Sequence, residues 1–205
     1  RVAICDQLED PKKTKKIVKR GVTELVTPGV SYRDTNNNQK ANNFLASIYF
    51  GETNIGISLL DNSTGEFLTS EGNSSNINKL LQSFNPSEVI YQYNKKQKFI
   101  SNFGDSFFTF PLDEWVYTDD YTNELLMDQF DTKSLKGFGI DKLRSGSIAA
   151  GSILHYLKIT KHNLTNHIST ISRIEQERYV WMDKFTMKNL ELFLSNNEDS
   201  STLIN

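Results

Sequence analysis

The sequence predicts an α/β protein built on a mixed β-sheet, and three observations carry that prediction. Three short apolar runs lie between residues 43 and 70 and are joined by short turns. The apolar period then switches from strand to helix at Ile77 and back to strand after Ser87. Later, Ala149, Ala150, Ile153, Leu154 and Leu157 recur at helical spacing and mark the strongest helix of that region. A length of 205 residues fits one large domain or two small ones.

The opening run, Arg1-Val-Ala-Ile-Cys-Asp-Gln7, reads as a strand. A basic stretch from Asp10 to Arg20 reads as a helix, and the run ending in Val26-Thr-Pro-Gly29 as a second strand. These pieces suggest the closing part of a domain that begins upstream. Val30 to Gln39 is polar, includes Asn36-Asn-Asn38, and reads as a linker.

Asn43 to Phe50 is apolar and aromatic, bounded by Gly51, and reads as a buried strand. Asn54 to Leu60 is a second strand with Ile55, Ile57 and Leu59 on one face. Asp61 to Gly65 is a turn in which Asp61 suits an Asx-turn. Glu66 to Ser70 completes an antiparallel meander. Asn76 is the expected cap of a helix carrying Ile77, Leu80, Leu81 and Phe84, which Asn85-Pro86 stops.

Ser87 to Tyr93 is a fourth strand, placed for a parallel crossover. Lys95 to Phe103 is a short helix closed by Gly104, and Phe107 to Phe110 a fifth strand. Asp119 and Asp120 start a helix through Phe130, where their charge suits the helix dipole. Gly137-Phe-Gly139 is a tight turn, and the last strong helix runs to about Lys161. The order βββαβαβαα resembles the RNase H-like fold, a likeness that by itself implies no activity. Beyond Ile168, Tyr179 to Met182 is a short strand, and Asp183 caps a helix from Lys184 to Leu194. That helix is apolar on several sides and calls for further protein around it. Ser195 to Asn205 is polar and reads as a frayed end.

Composition narrows the function classes. A net charge of −2 argues against a polycation built for nucleic acid, while leaving room for a local basic patch. No apolar stretch approaches the roughly 20 residues of a membrane span. The single Cys5 cannot form an internal disulfide and reads as a core thiol in a reducing compartment, the cytoplasm.

Candidate chemistry is sparse. An RNase H-like metal-dependent nuclease or resolvase is the alternative reading, and it needs clustered carboxylates, usually with one on the first strand. That strand, Phe44 to Phe50, has none, and Asp61 and Glu66 flank a turn. His155 and His162 lie seven apart and could share a helix face, but they lack partners at metal-site spacing. With His167 they read as surface or helix-end histidines. Gly137-Phe-Gly139 lacks the glycines of a phosphate loop, and Gly-x-x-x-x-Gly-Lys-Ser/Thr occurs nowhere. Lys12, Lys13, Lys15 and Lys16, with Lys19 and Arg20, could neutralise DNA phosphates or form a solvated helix face.

The co-linear order of motifs resembles the MutS family of DNA mismatch repair. It runs through Val2-Ala-Ile-Cys-Asp-Gln7, Asp10-Pro11, Val26-Thr-Pro-Gly29 and Asn43-Phe-Leu-Ala46. It continues with Leu60-Asp-Asn-Ser-Thr-Gly-Glu-Phe67, Asn85-Pro-Ser-Glu-Val-Ile-Tyr91, Gly137-Phe-Gly139 and Ala149-Ala-Gly-Ser-Ile-Leu-His-Tyr-Leu157. It closes with Met182-Asp-Lys-Phe-Thr-Met-Lys-Asn-Leu-Glu-Leu192. Each motif is weak alone, and the order is specific.

The resemblance implies three parts. Residues 1–33 would end a mismatch-binding domain, 34–170 would be a connector domain without nuclease activity, and 171–205 would begin the core and its lever helices. It implies a full-length homodimer that encloses mismatched double-stranded DNA and hydrolyses ATP with magnesium. The Phe-x-Glu motif that reads the mismatch and the ATPase domain would both lie outside this chain. No catalytic, metal or cofactor residue is therefore expected here, and the chain alone should be monomeric. The connector would relay mismatch binding and ATP state and offer a surface to MutL. For that partner face the expected residues are Glu124 and Asp128, exposed while Leu126 and Phe130 are buried.

Overall fold

The computed structural model describes residues 1–10, 12, 17–30, 42–162, 165–174, 186, 189 and 190. Val2–Gln7 (β1) and Arg20–Val26 (β2) pair antiparallel as a two-stranded ribbon, with Val2 opposite Val26 and Gln7 opposite Arg20. Phe44–Phe50 (β3), Ile55–Asp61 (β4) and Phe67–Gly72 (β5) form the expected meander, Phe44 facing Asp61 and Ile55 facing Gly72. Ser74–Phe84 (α1) leads to Glu88–Gln92 (β6), and Lys96–Phe103 (α2) to Thr109–Leu112 (β7). Asp119–Gln129 (α3), Arg144–Ile159 (α4) and Ser172–Arg173 (β8) complete the described elements.

The larger sheet has the order β7-β6-β3-β4-β5-β8. β6 runs parallel to β3, β7 to β6 and β8 to β5. Alternation along the strands divides the core into two layers. Ala46, Ile48, Ile57 and Leu59 point to α1 and α2, where they meet Ile77, Leu80, Leu81, Phe99 and Phe103. Leu45, Leu60, Phe67 and Ile90 point the other way, toward Leu125 and Leu126 of α3 and Ile153 and Leu157 of α4. The result is a mixed α/β protein with helices on both faces of the sheet.

Helix α4 is buried from Ser145 to Leu157. Small residues permit that depth: a Cβ on Gly56 would lie 1.9 Å from the Ser145 carbonyl oxygen, and one on Gly151 2.4 Å from Thr122 Cβ. The start of α4 is held by Glu71 of β5, which accepts from the N–H groups of Ser145 and Gly146 at 2.9 and 3.4 Å. A carboxylate there satisfies free amides and complements the helix dipole.

Several expectations are corrected. The cap of α1 is Asn73, whose Oδ1 accepts from the Asn76 N–H at 2.9 Å; Asn76 lies inside the helix. Asn85 and Gly104 do close α1 and α2, as expected. β7 lies further along than Phe107 to Phe110, because Pro111 and Leu112 continue the pairing with Tyr91 and Gln92. Residues 17–19 are not helical and Arg20 belongs to β2, so the basic helix does not extend to Arg20. Cys5 is exposed, not a core thiol, because among the described residues β1 pairs with β2 alone. The Tyr179 to Met182 strand, the Lys184 to Leu194 helix and the polar end lie outside the described residues.

Candidate functional site

Glu88 opens β6 and has no solvent exposure. A buried carboxylate is unfavourable unless hydrogen bonds surround it. Three elements supply them. The Thr27 hydroxyl and the Gly29 N–H, just after β2, donate to Glu88 Oε2 at 2.5 and 3.1 Å. The Tyr156 hydroxyl of α4 donates to Oε1 at 2.7 Å. The Arg1 guanidinium lies 3.6 Å from the same oxygen, donates to the Tyr156 hydroxyl at 2.6 Å and stacks 3.3 Å over the Phe110 ring centre.

Local sequence explains how each group arrives. Thr27-Pro-Gly-Val30 turns back on itself, with the Val30 N–H donating to the Thr27 carbonyl at 3.1 Å. A Cβ on Gly29 would stand 2.8 Å from Glu88 Cβ, so glycine lets the backbone amide reach the carboxylate. The Asn43 amide holds the Pro28 carbonyl at 3.0 Å. Burial raises the Tyr156 hydroxyl well above the ordinary phenol range, which keeps its proton available for donation to Glu88.

A second seat joins the ribbon to the end of α4. The Leu25 N–H donates to the Thr160 carbonyl at 3.0 Å, and the Lys161 ammonium donates to the Val22 carbonyl. His162 lies 3.5 Å from Glu24 through Nδ1 and 3.3 Å from the Leu25 carbonyl through Nε2. The two seats fasten the ribbon to β6 and α4 through polar groups.

The residues singled out from sequence are placed as follows. Lys12 is exposed, its N–H bonded to Asp10, while Lys13, Lys15 and Lys16 lie outside the described residues. Glu124 and Asp128 are both exposed on α3. Asp128 also lines a cleft of about 220 Å³ with Lys158 and His162 above Leu125, Leu154 and Leu157; Glu124 does not. Asp61 accepts from the Ser63 N–H and hydroxyl and from the Asn43 N–H, which commits it to the turn.

Among the described residues, no three of His, Cys, Asp and Glu group as a metal site would require. The midpoint of β3 carries Ser47, bonded at 2.6 Å to Ser152 of α4. The nuclease alternative thus finds no support in this geometry. His155 departs from the surface or helix-end expectation. It is buried in mid-helix, with the Tyr121 hydroxyl 2.7 Å from Nδ1 and Trp115 against its ring. Burial, with help from the Lys158 ammonium, lowers its pKa, and Asp113 partly opposes this.

Sequence reasoning missed Glu88, Thr27 and Tyr156. The available signal was an acidic residue opening an otherwise apolar strand, which is rare unless the charge is paired.

Two family models match. One described as MutS domain II covers residues 43–169, and one described as MutS domain I covers residues 1–35. All of the chain aligns with proteins described as DNA mismatch repair protein MutS. Identity is 61% to the protein of Flavobacterium psychrophilum, 58% to that of Flavobacterium johnsoniae and 54% to that of Bacteroides thetaiotaomicron. The chain spans 24% of the length of each of these relatives. No described helix is long and apolar enough to cross a membrane. With more than half of its residues inside one MutS domain model and its whole length aligned to such proteins, the chain belongs to the MutS family of DNA mismatch repair.

Proposed function

We propose that this chain is the joint and relay of a MutS-type mismatch-repair protein. In this reading residues 1–33 close the mismatch-binding domain, 34–170 form an RNase H-like connector, and 171–205 begin the core. The observation that carries it is the buried Glu88 junction, where the ribbon, β6 and α4 meet on one carboxylate. Movement of the ribbon is felt there by α4, which crosses β3, β4 and β5.

Two further features support the assignment. The sheet order β5-β4-β3-β6-β7 supports the RNase H-like reading of residues 34–170. The ribbon, with exposed Val2, Ile4 and Leu8, is too small a sheet to be stable alone, in keeping with membership of a larger domain. The chain has no Gly-x-x-x-x-Gly-Lys-Ser/Thr, so its residues do not fit ATP and magnesium, which belong to the remainder of a full-length homodimer. Lys12, Lys13, Lys15 and Lys16 are the proposed backbone contacts to mismatched DNA, and Glu124 and Asp128 the proposed face for MutL. The working compartment is the cytoplasm.

The test is a full-length family member carrying Glu88→Ala at this position. Mismatch affinity should change less than about three-fold, while the effect of mismatch on nucleotide turnover should fall by about ten-fold. Unchanged coupling in a protein whose joint is measurably loosened would remove the relay from this site.

A further inference from the structure

We propose that Trp115 is a docking platform for an arginine side chain presented by a partner protein. Trp115 lies in the short turn Glu114–Tyr117, which follows β7, and it is 54% exposed. It is nonetheless held firmly. The Tyr121 ring stands 5.2 Å from its ring, and the His155 ring meets it nearly at right angles at 5.1 Å. The Thr118 hydroxyl donates to the Trp115 carbonyl at 2.9 Å. The Tyr121 hydroxyl and His155 Nδ1 lie 2.7 Å apart and satisfy each other. A large ring is thus fixed in place with about half of its surface in water, so binding to it orders little that is not already ordered.

Charge selects the occupant. From Asp113 to Thr132 the chain carries seven acids and no lysine or arginine, although its net charge is only −2. Glu114 adjoins Trp115 and Asp120 adjoins Tyr121 in sequence, while Asp113 is near enough to act on His155 and Glu124 on Tyr121. Among the described residues none of these four carboxylates is in an ion pair; Asp119 is, with Arg144 at 3.1 Å. Lys158, one turn beyond His155 on α4, is the opposing charge. His155 itself, its pKa lowered by burial, is uncharged near pH 7 and adds no cation behind the indole.

An exposed indole among carboxylates attracts a cation and repels the phosphates of nucleic acid. Arginine suits it better than lysine. The guanidinium is planar and weakly hydrated, so it stacks on the ring while its N–H groups reach the carboxylates. The platform needs neither mismatch nor nucleotide and is tested with a short peptide. Its failure would therefore leave untouched both the proposed relay and the proposed MutL face at Glu124 and Asp128.

The experiment titrates an acetylated and amidated tetra-arginine peptide into this chain at pH 7. The Trp115 indole N–H should shift saturably in nitrogen–proton NMR. With a fluorescent version of the peptide, anisotropy should show Trp115→Ala weakening affinity by about five-fold and Trp115→Phe by about two-fold. Glu114→Gln combined with Asp120→Asn should weaken it by about five-fold, and added salt should do the same. A tetra-lysine peptide should bind less tightly than tetra-arginine. An unmoved indole, or an affinity that Trp115→Ala leaves unchanged, overturns the platform. So does tighter binding of a single-stranded oligonucleotide at Trp115, which would make the ring a base-stacking site. Should Trp115→Ala fail to fold, the wild-type indole shift and the double carboxamide variant decide. A full-length family member should bind the peptide with the same dependence on this tryptophan. Binding by the present chain alone would mean that the rest of the polypeptide covers the ring, and would overturn the partner.

Discussion

At the scale of the residue, Glu88 concentrates the energetics of the joint. Glu88→Ala leaves the Thr27 and Tyr156 hydroxyls and the Gly29 N–H without their acceptor, and should destabilise the chain by about 3 kcal/mol. Glu88→Gln keeps the shape but weakens the charge-assisted bonds, and should lose about half as much. Urea denaturation with an unchanged slope measures both. His155 gives a pH prediction. Its folded pKa is lowered, so the unfolded chain takes up the proton first. Its contribution is complete above the unfolded value of 6.5 and is lost as pH falls below it. Stability should therefore fall on acidification below 6.5, and His155→Gln should flatten that decline in a thermal-melt series. Sequence showed Glu88 only as an acid in an apolar strand. Its partners are 59, 61 and 68 residues distant, beyond any local pattern.

At the scale of the element, helix ends and helix contacts separate what was legible from what was not. The apolar face of α1 was legible because Ile77, Leu80 and Leu81 repeat at helical spacing. Its cap was not, because Asn73 and Asn76 are both capping types and only geometry distinguishes them. Asn73→Ala should destabilise by about 1 kcal/mol, and Asn76→Ala by much less, in chemical denaturation. The contact of α4 with α3 depends on Gly151. An added methyl would meet Thr122 Cα and its carbonyl oxygen at 2.7 Å each, groups that cannot swing aside. Gly151→Ala should destabilise by about 2 kcal/mol or more, with reduced near-ultraviolet circular dichroism as α3 separates from α4. The carboxylate that starts α4 comes from β5, and sequence gives no sign of that pairing.

At the scale of the whole molecule, two structures of unequal support share one chain. The larger sheet is covered on both faces, whereas β1 is exposed along its length. Amides of β1 and β2 should lose protection at a lower denaturant concentration than those of β3 and β4, as residue-resolved exchange would show. Simultaneous loss would mean that the polar joint binds the ribbon into the cooperative unit. The sequence by itself determined the family, the order βββαβαβαα and the two faces of the central strands. Motif order and the periods 2 and 3.6 are properties of the chain read in line. Only the tertiary structure decided that Cys5 is exposed, His155 buried and Glu88 the meeting point of β6, α4 and the ribbon. Those outcomes depend on which distant segments cover a residue, and on a buried charge finding donors wherever the fold brings them.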